Sequence, residues 1–197
     1  NVEDLADLDR DPNVDVMTVL RPQLFYWGFN NAREPFDDWR VRLAMRYLID
    51  YDGLAQTVMA YNGVPRASFV QLGAFGALDE EEGQPFSLDL DRARELLAEA
   101  GYPNGFSATL YTGTAPFQGP VSQHVQENAA QVGVTLEIER MASAQLFSRV
   151  RGREFDTAML AWQTSVPDAH GMASRQIFNP DNEAEGLSMY PSWRGSF

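Results

Sequence analysis

Apolar and polar positions change rhythm several times along the chain, and each rhythm predicts an element. Residues 1–15 carry Glu3, Asp4, Asp7, Asp9, Asp11 and Asp15 against the single Arg10, and the sequence then turns apolar over 16–20. That pattern predicts an exposed lead-in over 1–20, its last residues forming a strand. The run Leu24-Phe25-Tyr26-Trp27-Gly28-Phe29-Asn30 predicts a buried strand that leaves into a turn at Asn30-Asn31. Trp39, Val41, Leu43, Ala44, Tyr47 and Leu48 then fall near helical spacing, with Arg40, Arg42 and Arg46 between them and Asp37 or Asp38 placed to cap. A second helix is expected over 51–62, stopped by Gly63 and Pro65.

Residues 63–87 have weak periodicity, several Gly and Pro residues and the acidic run Asp79-Glu80-Glu81-Glu82, and read as a long surface connection. Asp89 or Asp91 opens a helix whose apolar positions are Ala93, Leu96, Leu97 and Ala100, with Gly101 placed as its C-cap. From there the chain alternates: strand 106–111, helix 117–131, strand 134–139, helix 143–150, strand 155–162, and a helix near 172–178. This order predicts an α/β fold in three layers, with a mostly parallel sheet flanked by helices. In such sheets ligands collect beyond the carboxyl ends of the strands. The places to look are Asn30-Asn31, Tyr111-Thr112-Gly113-Thr114 and Trp162-Gln163-Thr164-Ser165.

Composition narrows the chemistry. The chain contains no lysine, and 15 arginines against 28 acids leave a net charge of −13, which disfavours nucleic acid and anionic membrane partners. Without cysteine there is no disulfide, thiolate metal site or cysteine nucleophile. The two histidines, His124 and His170, lack the spacing of a helical metal site, and neither a Gly-x-Ser-x-Gly elbow nor a P-loop is present. No cofactor or metal is called for. What remains at the strand ends is aromatic, hydroxyl and amide chemistry, which suits binding by stacking and hydrogen bonds. An enzyme reading stays open as a small α/β hydrolase using Asp168, His170 and a serine such as Ser165 or Ser174, whose side chains would converge. A third reading, an interaction domain without a small ligand, predicts a closed convex face at Tyr111 and Trp162. The chain opens on Asn1 rather than methionine and closes on Trp193-Arg194-Gly195-Ser196-Phe197 without a cap, which predicts a segment of a longer protein.

Several segments in order resemble the extracellular solute-binding proteins of family 5, the peptide, dipeptide and nickel type that serve ABC importers. They are Phe29-Asn30, Pro35-Phe36-Asp37-Asp38-Trp39-Arg40-Val41-Arg42-Leu43-Ala44-Met45 with Ile49-Asp50, and Asp91-Arg92-Ala93-Arg94-Glu95-Leu96-Leu97-Ala98-Glu99-Ala100-Gly101-Tyr102. Gln126-Glu127-Asn128 with Val132-Gly133-Val134-Thr135-Leu136, and Phe155-Asp156 leading to Trp162, complete the series. The resemblance implies one lobe of a type II periplasmic-binding-protein-like fold spanning 1–197, working outside the cytoplasmic membrane in the periplasm or an equivalent space. Its implied partners are a small peptide-like solute, an ABC permease of the inner membrane and a second lobe of the same protein.

The resemblance also implies roles for single residues. Peptide-binding relatives carry, three residues after the strand-ending Trp, an Asp for the ligand's α-ammonium group; here that position is Ser165. Residues 162–169 are instead similar to the Trp-Ser-x-Ser-Thr-Gly-Asp-Ala segment of glutathione-binding members, which makes a glutathione-like solute one expectation. Trp162 would stack on the solute, and Gln163, Thr164 and Ser165 would supply hydrogen bonds. Asp168 would serve an ammonium group or brace its loop. Tyr111, Thr112 and Asn30 complete the candidate ligand-binding set.

Overall fold

The computed structural model of the chain describes residues 2–19, 23–79, 82–163 and 168–176. Its elements are α1 (Val2–Asp9), β1 (Gln23–Phe29), α2 (Trp39–Arg46), α3 (Tyr51–Gln56), α4 (Leu90–Glu99), β2 (Ser107–Thr112), α5 (Gln118–Gln131), β3 (Thr135–Arg140), α6 (Ser143–Arg151), β4 (Thr157–Gln163) and α7 (Ala169–Gln176). Three aspartates start helices as N-caps: Asp38 accepts from the Arg40 N–H at 2.8 Å, Asp50 from Gly53 at 2.9 Å and Asp89 from Arg92 at 2.8 Å. Gly101, at φ +94°, takes the left-handed turn that ends α4.

The four strands lie in the order β1-β4-β2-β3. β2 pairs in parallel with β3 on one side and β4 on the other, whereas β1 runs antiparallel to β4. The sheet is therefore mostly parallel with one antiparallel edge strand. The loops entering β2 and β3 meet where Gly105 and Gly133, both at positive φ, lie so close that a Cβ on Gly105 would overlap the Gly133 carbonyl. That contact holds the starts of the two parallel strands level.

Each face of the sheet carries its own core, because successive side chains of a strand point to opposite sides. On one face Leu110 of β2, Leu136 of β3 and Met159 of β4 pack against Val41, Ala44 and Met45 of α2, Leu96 and Leu97 of α4, and Val121 and Val125 of α5. On the other, Tyr111, Ala158, Leu160 and Trp162 pack against Leu146 and Val150 of α6 and Met172 of α7. These helices on both faces make the three layers expected from the alternation.

Three expectations change. The acidic start is helical, as α1, and no strand forms among residues 16–19: Met17 is 79% and Val19 78% exposed, since no sheet edge stands beside them to bury their apolar pattern. The helix expected over 51–62 stops at Gln56, where Thr57 leaves helical geometry, and turns follow. The connection over 63–87 is not simply a surface loop. Val70 and Ala74 join the core of the α6 face, and the Arg66 guanidinium ties the carbonyls of Leu78 and Asp79 at 2.9 and 2.7 Å.

Because β1 is antiparallel, its last residue, Phe29, pairs with Thr157 at the start of β4, and its first, Gln23, pairs with Gln163 at the end. Asn30 therefore stands at the amino edge of the parallel strands, opposite the edge that carries Trp162. Its side chain is buried and fully used: Nδ2 donates to the carbonyls of Phe155 and Arg153 at 2.8 and 3.1 Å, and Oδ1 accepts from the Ala32 N–H at 3.2 Å. Grouping Asn30 with Tyr111 and Trp162 is thus corrected by strand direction. Asn30→Ala strands buried carbonyls and is expected to cost about 2–3 kcal/mol in urea unfolding while leaving solute affinity unchanged.

His124 of α5 fastens the turn between α2 and α3. Its Nε2 accepts from the Asp50 N–H at 3.1 Å and lies 3.2 Å from Asn128 Nδ2, which itself donates to the Leu48 carbonyl at 2.8 Å. Burial holds the imidazole below its ordinary pKa of 6.5, against the opposing pull of Asp50 and Glu127. Between that ordinary value and the lowered one the unfolded chain binds a proton that the folded chain refuses, so stability falls as pH drops through this window. His124→Gln keeps an acceptor for Asp50 without a titrating ring. Its urea midpoint is expected to depend less steeply on pH between 7 and 5 than that of the parent protein.

Candidate functional site

Two crossovers leave β2 and β3, so α5 and α6 both begin at the carboxyl edge of the parallel strands. There they frame a cleft of about 380 Å³ together with the ends of β1 and β4. Gln23, Phe117, Gln118, Ser143, Phe147, Trp162 and Gln163 contribute to its wall, and among the described residues no charged side chain lines it. Phe117 is held by an edge-to-face contact with Phe25 of β1, ring centroids 4.9 Å apart, which fixes the first turn of α5 over the sheet.

Trp162 is 7% exposed: it belongs to the core of the α6 face and shows the cleft only the remainder of its surface. Gln163, beside it, is exposed and lines the same cleft. Tyr111 points to the α6 face, where the Arg149 guanidinium covers its ring at 5.1 Å and donates to its hydroxyl at 3.5 Å. Thr112 points the other way and is fully buried, its hydroxyl oxygen accepting from Ser122 of α5 at 3.1 Å. Tyr111 and Thr112 thus hold helices to β2 on opposite faces, and neither lines the cleft. Thr164 and Ser165 lie outside the described residues. Asp168 braces its loop: its carboxylate accepts from the Gly171 N–H at 2.7 Å at the start of α7, and its backbone bridges to Phe75.

The hydrolase reading finds no support here, since Asp168 is turned onto its own helix and His170 is exposed. The closed convex face required of an interaction domain is replaced by a cleft at Trp162. Among the described residues no group of three or more acidic or histidine side chains could hold a metal ion, and no helix is long and apolar enough to cross a membrane.

Gln23, Phe117, Gln118, Ser143 and Phe147 were not anticipated from the sequence. One signal was available. Where α2, α3 and α4 start on Asp, α5 and α6 start on Phe117 and Ala142, with no side-chain cap and no acid in the first turn. Helix starts left open in an acid-rich chain mark this edge as different from the rest.

Comparison with known proteins places this geometry. Curated relatives include the glutathione-binding protein GsiB of Escherichia coli O1:K1, 32% identical over 152 residues, covering 77% of this chain and 29% of its own length. The chain thus spans less than a third of the curated relatives it matches. Among solved structures, HbpA2 from Haemophilus parasuis superposes with a TM-score of 0.78 at 23% identity, covering 88% of this chain and 35% of that one. The binding protein AgaA of Agrobacterium in complex with agropinic acid gives 0.77 at 22% identity, covering 98% and 39%. A dipeptide-binding protein from Pseudoalteromonas in complex with Met-Leu gives 0.73 at 24%, covering 86% and 34%. The fold is that of type II periplasmic binding proteins. With the model for the middle region of bacterial extracellular solute-binding proteins, family 5, matching residues 1–183, the chain belongs to that family.

Proposed function

We propose that this chain is one lobe of the solute-binding component of an ABC importer, holding a small peptide-like solute outside the cytoplasmic membrane and presenting it to a permease. The observation that carries this reading is the aromatic and amide-lined cleft at the carboxyl edge, with Trp162 and Gln163 at the end of β4. Such a wall suits binding by stacking, shape and hydrogen bonds. The match to glutathione-binding relatives supports a glutathione-like solute, and the Ser165 position supports a ligand whose ammonium group is not held by an ion pair there. A second lobe of the same protein closes the cleft, which removes the solute from water and strengthens each polar contact.

Titration calorimetry of the full-length protein with glutathione, dipeptides and oligopeptides tests this. Saturable binding to at least one is expected, and silence across all of them overturns the peptide-like assignment. Trp162→Phe keeps an aromatic ring in the core while withdrawing surface from the cleft, and Gln163→Ala removes one exposed amide. Each is expected to weaken the solute about tenfold, the order of one lost hydrogen bond or stacking contact, with an unchanged far-ultraviolet spectrum.

A further inference from the structure

α6 shows the cleft one face and a second cavity another. Ser143, Leu146 and Phe147 line the cleft, whereas Gln145, Ser148 and Arg149, at helical spacing, line a separate cavity of about 340 Å³ together with Met141 and Glu154. The two share no lining residue. A volume of this order lies at the low end for small-molecule sites, which start at roughly 300 Å³.

The two charged residues of this wall have opposite signs and stay apart. α6 is capped by Gly152, Arg153 takes a left-handed φ of +57°, and the chain turns back so that the Glu154 N–H donates to the Arg149 carbonyl at 2.9 Å. Backbones joined in this way bring an arginine and a glutamate close enough for an ordinary surface ion pair. None forms: the ion pairs among the described residues involve neither Arg149 nor Glu154. The Arg149 guanidinium is drawn instead over the Tyr111 ring, 5.1 Å from its centroid, with the Tyr111 hydroxyl at 3.5 Å. Since Tyr111 is itself buried in the core of the α6 face, the cation has a fixed seat. The Glu154 carboxyl carbon lies 3.6 Å from the place a Cβ on Gly152 would take, and its carboxylate accepts no hydrogen bond from the described residues.

We propose that Arg149 and Glu154 form a second site, separate from the cleft, that takes a free α-amino acid, Arg149 meeting its carboxylate and Glu154 its ammonium group. A zwitterion gives each of the two charges the partner it lacks, whereas a simple anion or cation would satisfy one and be repelled by the other. Gln145 and Ser148 add hydrogen-bonding groups to the same wall, and the half-buried Met141 offers a flexible apolar surface to the amino acid's side chain. The site does not depend on what the cleft binds.

Saturation-transfer NMR titrations of the full-length protein with L-methionine, L-methioninamide and N-acetyl-L-methionine test the site. Methioninamide lacks the carboxylate, and the N-acetyl form lacks the ammonium charge. Methionine is expected to bind saturably and about fivefold more tightly than either derivative, the upper end for one exposed ion pair. Arg149→Gln is expected to erase the preference over methioninamide, and Glu154→Gln the preference over N-acetylmethionine. Absence of saturable methionine binding overturns the site. Methionine held only in the cleft keeps both preferences in both variants, and that outcome overturns it too. Because Arg149 also packs on Tyr111, a loss in its variant has a second, structural cause, so Glu154→Gln is the deciding arm. Its side chain meets no ring and no core residue among the aromatic and core contacts of the described residues, and its urea midpoint is expected to match the parent's. A preference over N-acetylmethionine that disappears in Glu154→Gln supports the site, and one that persists overturns it, whatever the cleft is found to bind.

Discussion

The parallel pairing of β2 with both β3 and β4 is the constraint on which the rest depends. Once two strands flank β2 in the same direction, each return must cross a face of the sheet, and the helices that make the crossings must start at the carboxyl edge. α5 lies on one face and α6 on the other, so their amino ends straddle that edge and open the cleft between them. The close contact of Gly105 and Gly133 serves the same pairing from the opposite edge, by letting the strands begin level. The site is thus a consequence of connectivity before it is a matter of particular side chains.

Charge distribution follows the same division. Twenty-eight acids are spread over the chain, yet the acids that cap helices do so at α2, α3, α4 and α7, and none caps α5 or α6. Net charge alone says little about a solute, because screening weakens exposed charges beyond about 8–10 Å. An acid-free first turn is more informative, since the field of a helix start falls off within one turn.

Much of the fold was legible because helix and strand periods differ and because Asp and Gly mark several helix ends. Helices 90–99, 118–131 and 143–151 and strands 107–112, 135–140 and 157–163 were each anticipated to within a few residues. Strand direction was not legible: nothing in Leu24 to Asn30 says that β1 runs against its neighbour, so Asn30 was grouped with the wrong edge. The apolar pattern at 16–19 also misled, because alternation predicts burial only if a partner strand is present. For the site, Trp162 and Gln163 could be read from a strand ending in polar residues. Gln118 and Ser143 could not, since they become neighbours of Trp162 only after two crossovers fold back.

Trp162 links the two levels. Its ring is held by the core of the α6 face and offers the cleft only a narrow strip, so it has no freedom to rearrange when a solute arrives. A wall built from core residues costs little conformational entropy on binding, because that entropy was lost on folding. The same argument applies to Gln118, whose carbonyl is already fixed to Ala115, and to Phe117, already packed on Phe25. Adaptability must then come from exposed groups such as Gln163 or, in the two-lobed arrangement proposed above, from movement of the second lobe. In that proposed arrangement a rigid wall on one side and a moving partner on the other would let the fixed side set the shape of the solute while closure supplied the affinity.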